Sequence, residues 1–135
     1  MFFLIEKKMI TVETRLKSAD NSGAKILKCI KVLGNFFKKS AKCGETLLVS
    51  VKRLIRKKKI KKKNIYFALI ISTKWKTRRL DGSFFCSKFN RVIMLSETKK
   101  FLGTRILGFI SKEIRVKKQK IEDFKKIFYY SKGTC

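Results

Sequence analysis

The residues of this chain best equipped for chemistry are cations, set close to polar or aromatic neighbours. In the turn Asp20-Asn21-Ser22-Gly23, Asn21 and Ser22 offer side-chain donors, and Lys25 adds charge just after it. Gly23 lacks a Cβ, so its backbone can take positive φ and come close to an anion. Arg56-Lys57-Lys58-Lys59-Ile60-Lys61-Lys62-Lys63 places seven charges in eight residues. Lys74, Lys76, Arg78 and Arg79 surround Trp75, and Arg105 stands between Gly103 and Gly108. Ammonium and guanidinium groups at this density neutralise phosphates, while neighbouring aromatics can stack on bases. The alternative for Asp20 and Asn21 is service to the turn's own hydrogen bonds. For Trp75 it is a place in the core or at a barrel edge.

The same inventory argues against catalysis. There is no histidine, and the nine carboxylates are scattered. Glu122 and Asp123 adjoin, but neighbours on a helix do not share a face. Gly103 to Gly108 lacks a following Lys-Ser/Thr, which excludes the nucleotide-binding P-loop. Cys29, Cys43, Cys86 and Cys135 lack the paired spacing of a zinc site and read as free thiols in a reducing compartment. No enzyme activity, metal or cofactor is expected.

Composition agrees with phosphate binding. Lys+Arg number 36 against 9 Asp+Glu, a formal charge of +27, while 44% of residues are hydrophobic. Such self-repulsion opposes compaction unless a polyanion is present, yet the apolar content can supply a core. A single folded nucleic-acid-binding domain follows. The cations run along the whole chain with no separate basic tail, as suits a protein with phosphate on several sides. No stretch approaches the ~20 apolar residues of a membrane span. Binding at a membrane surface would need a basic amphipathic helix, for which only 112–130 could serve. Lys far outnumbers Arg and Pro is absent, a bias of A- and T-rich codons that fits an organelle genome or an AT-rich bacterium. Met1 to Ile5 is too short for a signal sequence and unlike an import sequence.

The elements that would hold these cations are mostly strands. Ile10 to Ser18 alternates, with Ile10, Val12, Thr14 and Leu16 on one face and Arg15 and Lys17 on the other. Ile26 to Leu33 is a second strand. Asn35 to Lys42 is a basic loop in which Phe36 and Phe37 either stack on bases or close a barrel end. Thr46 to Leu54 points Leu47, Val49 and Val51 inward and Ser50 and Lys52 outward. Ile65 to Thr73 is apolar on both faces, hence central, and the lysine run between these two is either a prong into RNA or a solvated cap. Asp81-Gly82 marks a two-residue hairpin turn. Val92 to Leu95 reads as a buried closing strand. From Ser111 the period becomes helical, through Ile114, Ile121, Phe124 and Phe128, before a frayed end from Ser131 to Cys135.

Three of these blocks resemble the universal large-subunit ribosomal protein fourteen family. Ala19-Asp-Asn-Ser-Gly-Ala24 followed by Cys29-Ile-Lys-Val-Leu-Gly34 matches its string almost letter for letter. Arg78-Arg-Leu-Asp-Gly-Ser83 looks like its RRPDGS turn, with Leu80 in place of proline. Gly103-Thr-Arg-Ile-Leu-Gly-Phe109 looks like its GTRIFGP loop, with Phe109 in place of proline. Ser87-Lys88 stand where the family has Phe-Asp. The resemblance runs from Met9 to about Arg115. It implies a mainly β protein: a small five-stranded β-barrel with projecting basic hairpins and a short C-terminal helical segment. Residues 1–8 are then an extension, 9–110 the rRNA-binding barrel, and 111–135 a helical segment of the same domain.

It further implies a structural constituent of the large ribosomal subunit. The implied partners are large-subunit rRNA, small-subunit rRNA across an intersubunit bridge, neighbouring ribosomal proteins and a ribosome-silencing factor, with no membrane. The compartment expected is a mitochondrial ribosome, the alternatives being a plastid or an AT-rich bacterial cytoplasm. The competing function is a free, OB-like single-stranded RNA-binding factor.

Overall fold

The computed structural model describes residues 9–34, 37–55, 60–116 and 124–135. Five strands close into a barrel in the order β2 (Arg15–Ser18), β3 (Ala24–Val32), β5 (Thr46–Leu54), β6 (Ile65–Ser72) and β9 (Arg91–Leu95). All neighbours are antiparallel except the closing pair, where β9 runs parallel to β2 through Lys17↔Arg91 and Ser18↔Val92. Closure needs bent strands. β3 supplies the bend through register shifts between Ala24 and Ile26, Ile26 and Leu27, and Cys29 and Lys31.

Side-chain alternation divides the strands into two kinds. β2, β3 and β5 bury one face: Leu16, Leu27, Cys29, Leu47, Val49 and Val51 fill the barrel. Their other face is largely polar, as period 2 requires. β6 and β9 are apolar on both faces. Ala68, Ile70, Val92 and Met94 point into the barrel, while Leu69, Ile71, Ile93 and Leu95 point outward beneath Ile106, Ile110, Ile114 and Ile127. The C-terminal segment, with α1 (Glu113–Val116) and α2 (Phe124–Tyr130), thus covers this half of the barrel. Each fully buried Ile or Leu there contributes about 1.5–3 kcal/mol.

Three local readings of the sequence need correction. The first strand is broken, because Glu13 adopts φ 72° and separates β1 (Ile10–Thr11) from β2. Val12 is consequently 49% exposed, and β1 pairs instead with β4 (Ser40–Ala41). The end is not frayed: Cys135 N–H donates to the Ile110 carbonyl, and Cys135 O accepts from Lys112 N–H. The turn at Asp81-Gly82 has three residues, not two. Beyond β7 (Thr77–Arg78) and before β8 (Phe84–Phe85), Arg79 N–H donates to Ser83 O and so closes the loop Leu80-Asp81-Gly82, with Gly82 at φ 84° and Gly82 N–H bonded to Arg79 O, the geometry of a bulged hairpin. Ile60 is 2% exposed and belongs to the barrel core, so the far side of the lysine run is pinned down. Arg56 to Lys59, like Phe36, Ile121 and residues 1–8, lie outside the described residues, and nothing is assigned to the side chain of Phe124.

The turn after β2 locks the barrel. Asp20 Oδ1 accepts the hydroxyls of Ser18 and Ser22, each at 2.5 Å, and Oδ2 accepts the buried N–H of Met94 in β9 at 2.8 Å. Asp20→Ala would strand that N–H and both hydroxyls. The expected loss is about 3 kcal/mol of unfolding free energy, each uncompensated buried group costing about 1–3 kcal/mol. Denaturant melting checks this, and wild-type stability in the variant would show the carboxylate to be dispensable.

Candidate nucleic-acid interface

The organising turn does structural work. Ser22 is only 5% exposed, its hydroxyl bonded to Asp20, so it does not face a ligand. Asn21 is a clasp: its Oδ1 accepts Thr104 N–H (2.8 Å) and Arg105 N–H (3.3 Å), and its Nδ2 donates to Thr104 Oγ1 (2.8 Å). The glycine-bracketed loop is held against the turn in this way, and Arg105 is presented outward from it. Gly23 takes φ 104°, the left-handed region the turn demands. Its carbonyl accepts Ile55 N–H at 2.8 Å, bringing the turn against the end of β5.

Lys25 is exposed at the start of β3. Lys63 N–H donates to Val51 O, which lays the exposed Lys61, Lys62 and Lys63 beside the Lys52–Arg53 end of β5. Lys61 N–H donates to the Tyr66 hydroxyl, a further tie. Lys57, Lys58 and Lys59 lie outside the described residues. Lys25, Lys52, Arg53 and Lys61 to Lys63 therefore gather at one end of the barrel.

The other set splits in two. Lys74, Lys76 and Arg78 are exposed, alternating with half-buried Trp75, Thr77 and Arg79. Arg79 is a structural clamp. Its Nε pairs with Glu113 Oε1 at 2.6 Å and a terminal nitrogen donates to Cys135 O at 2.5 Å, tying the β7–β8 hairpin to the C-terminal layer. The Glu113 hydrogen bond raises the Arg79 pKa further above its already high ordinary value. In the 35–42 loop, Phe37 is 87% exposed while Lys38 is ion-paired with Glu45 at 2.9 Å.

A further basic feature was not singled out as a site from sequence. Across the outer face of β2, β3 and β5 runs a groove of about 470 Å³ lined by Arg15, Lys28, Lys52 and Arg53, with Ile26 and a single carboxylate, Glu13. Register assembles it: Arg15 lies opposite Lys28, and Ile26 opposite both Lys17 and Arg53. Glu13 is ion-paired with Lys28. Like charges directly across a strand pair destabilise it, and an anion laid in the groove relieves that. The alternation rule put Arg15, Lys17 and Lys52 outward, so the signal was present, but only the register shows that they meet.

Two cysteines are core residues. Burial pushes the Cys29 thiol up, with Glu13 adding to the effect, so it is no nucleophile at neutral pH; Cys43 is likewise buried.

Among known proteins, a family model described as ribosomal protein L14p/L23e matches residues 9–132. The match spans the barrel, the β7–β8 hairpin, the clasped loop and nearly all of the C-terminal layer.

Replacing Arg15, Lys28, Lys52 and Arg53 together by glutamine removes repulsion, at the cost of the surface Lys28–Glu13 ion pair, without touching the core. The melting transition should hold or rise, by up to about 1 kcal/mol, while RNA affinity in filter binding falls at least tenfold. Retained affinity would remove the groove from the interface.

Proposed function

The chain belongs to the ribosomal protein L14p/L23e family, a structural constituent of the large ribosomal subunit, and from that premise we propose that it binds large-subunit rRNA as a fixed scaffold, chiefly through the β2–β3–β5 groove. The groove carries this reading. Four cations face one carboxylate on a rigid sheet, which positions phosphates and asks nothing of a catalytic group. Lys25 and Lys61 to Lys63 extend the contact at the β5 end, and Lys57, Lys58 and Lys59 add charge from the same run in the sequence.

A second basic surface supports a second RNA. Lys74, Lys76 and Arg78 project from a hairpin fixed by Arg79, and we assign them to small-subunit rRNA across an intersubunit bridge. Leu107 and Phe109 are exposed close to Arg105 on the clasped loop. An apolar pair beside a cation suits a protein neighbour, either another large-subunit protein or a ribosome-silencing factor. The Lys-over-Arg bias and the absence of proline support an AT-rich gene and a mitochondrial ribosome.

Two measurements test the proposal. In a native lysate the protein should sediment with the large-subunit particle; recovery in a light RNA-bound fraction would instead indicate a free RNA-binding factor. The isolated chain should lose about a thousandfold or more in RNA affinity between ~50 and ~200 mM salt if about six or more phosphates are engaged. An affinity nearly independent of salt would contradict phosphate-driven binding.

A further inference from the structure

Trp75 is the only tryptophan in the chain and stands apart from the phosphate groove. It forms part of a slot of about 120 Å³ between the β7–β8 hairpin and the β1–β4 pair, with Met9, Ala41 and Thr73 as further walls and Lys42, Lys76 and Arg78 alongside. The three cations are exposed, whereas the indole is half-buried.

The backbone carrying the indole is fixed on several sides. Thr73 Oγ1 donates to the Trp75 carbonyl at 3.1 Å, Lys74 N–H donates to Asn90 Oδ1 at 2.8 Å, and Ser87 N–H donates to Thr73 O at 2.9 Å. A ligand entering the slot meets an indole carried on backbone already held in place, which lowers the ordering cost of binding.

We propose that this slot receives one unpaired nucleobase of the bound RNA, stacked on Trp75, with its flanking phosphates on Lys42, Lys76 and Arg78. The inference rests on RNA being the partner, and adds that one contact reads a base instead of the backbone. Charge complementarity selects the occupant. An apolar side chain of a protein would fill the slot equally well but would leave three neighbouring cations unanswered, whereas a nucleotide supplies a flat apolar face and an anion together. A base within a duplex cannot reach such a slot, so the nucleotide must be single-stranded or looped out.

The indole reports its own occupancy. The full chain is titrated with a short single-stranded oligoribonucleotide and with an abasic oligomer of equal length, binding being followed in parallel by anisotropy. Both should bind with steep salt dependence, but only the base-bearing oligomer should quench the Trp75 fluorescence. Trp75→Ala should weaken the base-bearing oligomer roughly 5- to 100-fold, the effect of losing one stacked base, and leave the abasic one within about twofold. Trp75→Phe should recover most of the loss. Binding of the base-bearing oligomer with unmoved fluorescence, or equal quenching by both oligomers, overturns the nucleobase slot while leaving the phosphate-groove reading intact. Failure of both oligomers to bind at low salt overturns both readings.

Discussion

One carboxylate holds together the parts of this molecule that the chain order keeps apart. Asp20 sits where β2 ends, and through Met94 it reaches the strand that closes the barrel, 74 residues later. The same short segment fixes the clasped loop: Leu107 N–H donates to Ala19 O, and Asn21 takes the backbone of Thr104 and Arg105. A parallel closing pair has no hairpin to set its register, so a side-chain tie is the natural means of fixing it. The hydroxyls of Ser18 and Ser22 complete the carboxylate's shell, as a buried polar group requires.

From that closure follows the division of the barrel's outer surface. β6 and β9 carry apolar residues on both faces, so their outward face must be covered, and the isoleucines of the C-terminal layer cover it. β2, β3 and β5 alternate, so their outward face stays open, and its open positions carry cations. The covered apolar face and the open basic face are therefore opposite halves of one barrel. Arg79 joins the β7–β8 hairpin to the covered half by its bonds to Glu113 and Cys135. Lys74, Lys76 and Arg78, on the alternate positions of the same segment, stay exposed.

Much of this was legible in the residues. The apolar runs from Ala68 to Ile71 and from Val92 to Leu95 announced strands covered on both sides, and Leu47, Val49 and Val51 announced a strand covered on one. Family motifs supplied the barrel itself. What sequence could not supply was long-range partnership. Arg79 looked like a ligand for phosphate because it carries donors in basic surroundings, but its acceptor Glu113, 34 residues on, was visible only after folding; Ser22 is a local case, its hydroxyl turned back to Asp20 in the same turn. Arg15 and Lys28 looked like ordinary outward residues until register placed them opposite one another. The docked end escaped notice because the polar stretch from Ser131 to Thr134 has no apolar period, and backbone bonds to Ile110 hold it instead.

The central claim is that the open, basic half of the barrel is the face laid on RNA. The most direct measurement is amine labelling of Lys28 and Lys52, read by mass spectrometry on the free chain and on the chain bound to large-subunit rRNA. Both lysines should react in the free chain, be protected in the complex, and regain reactivity when high salt dissociates it. Reactivity in the complex equal to that of the free chain would contradict the account.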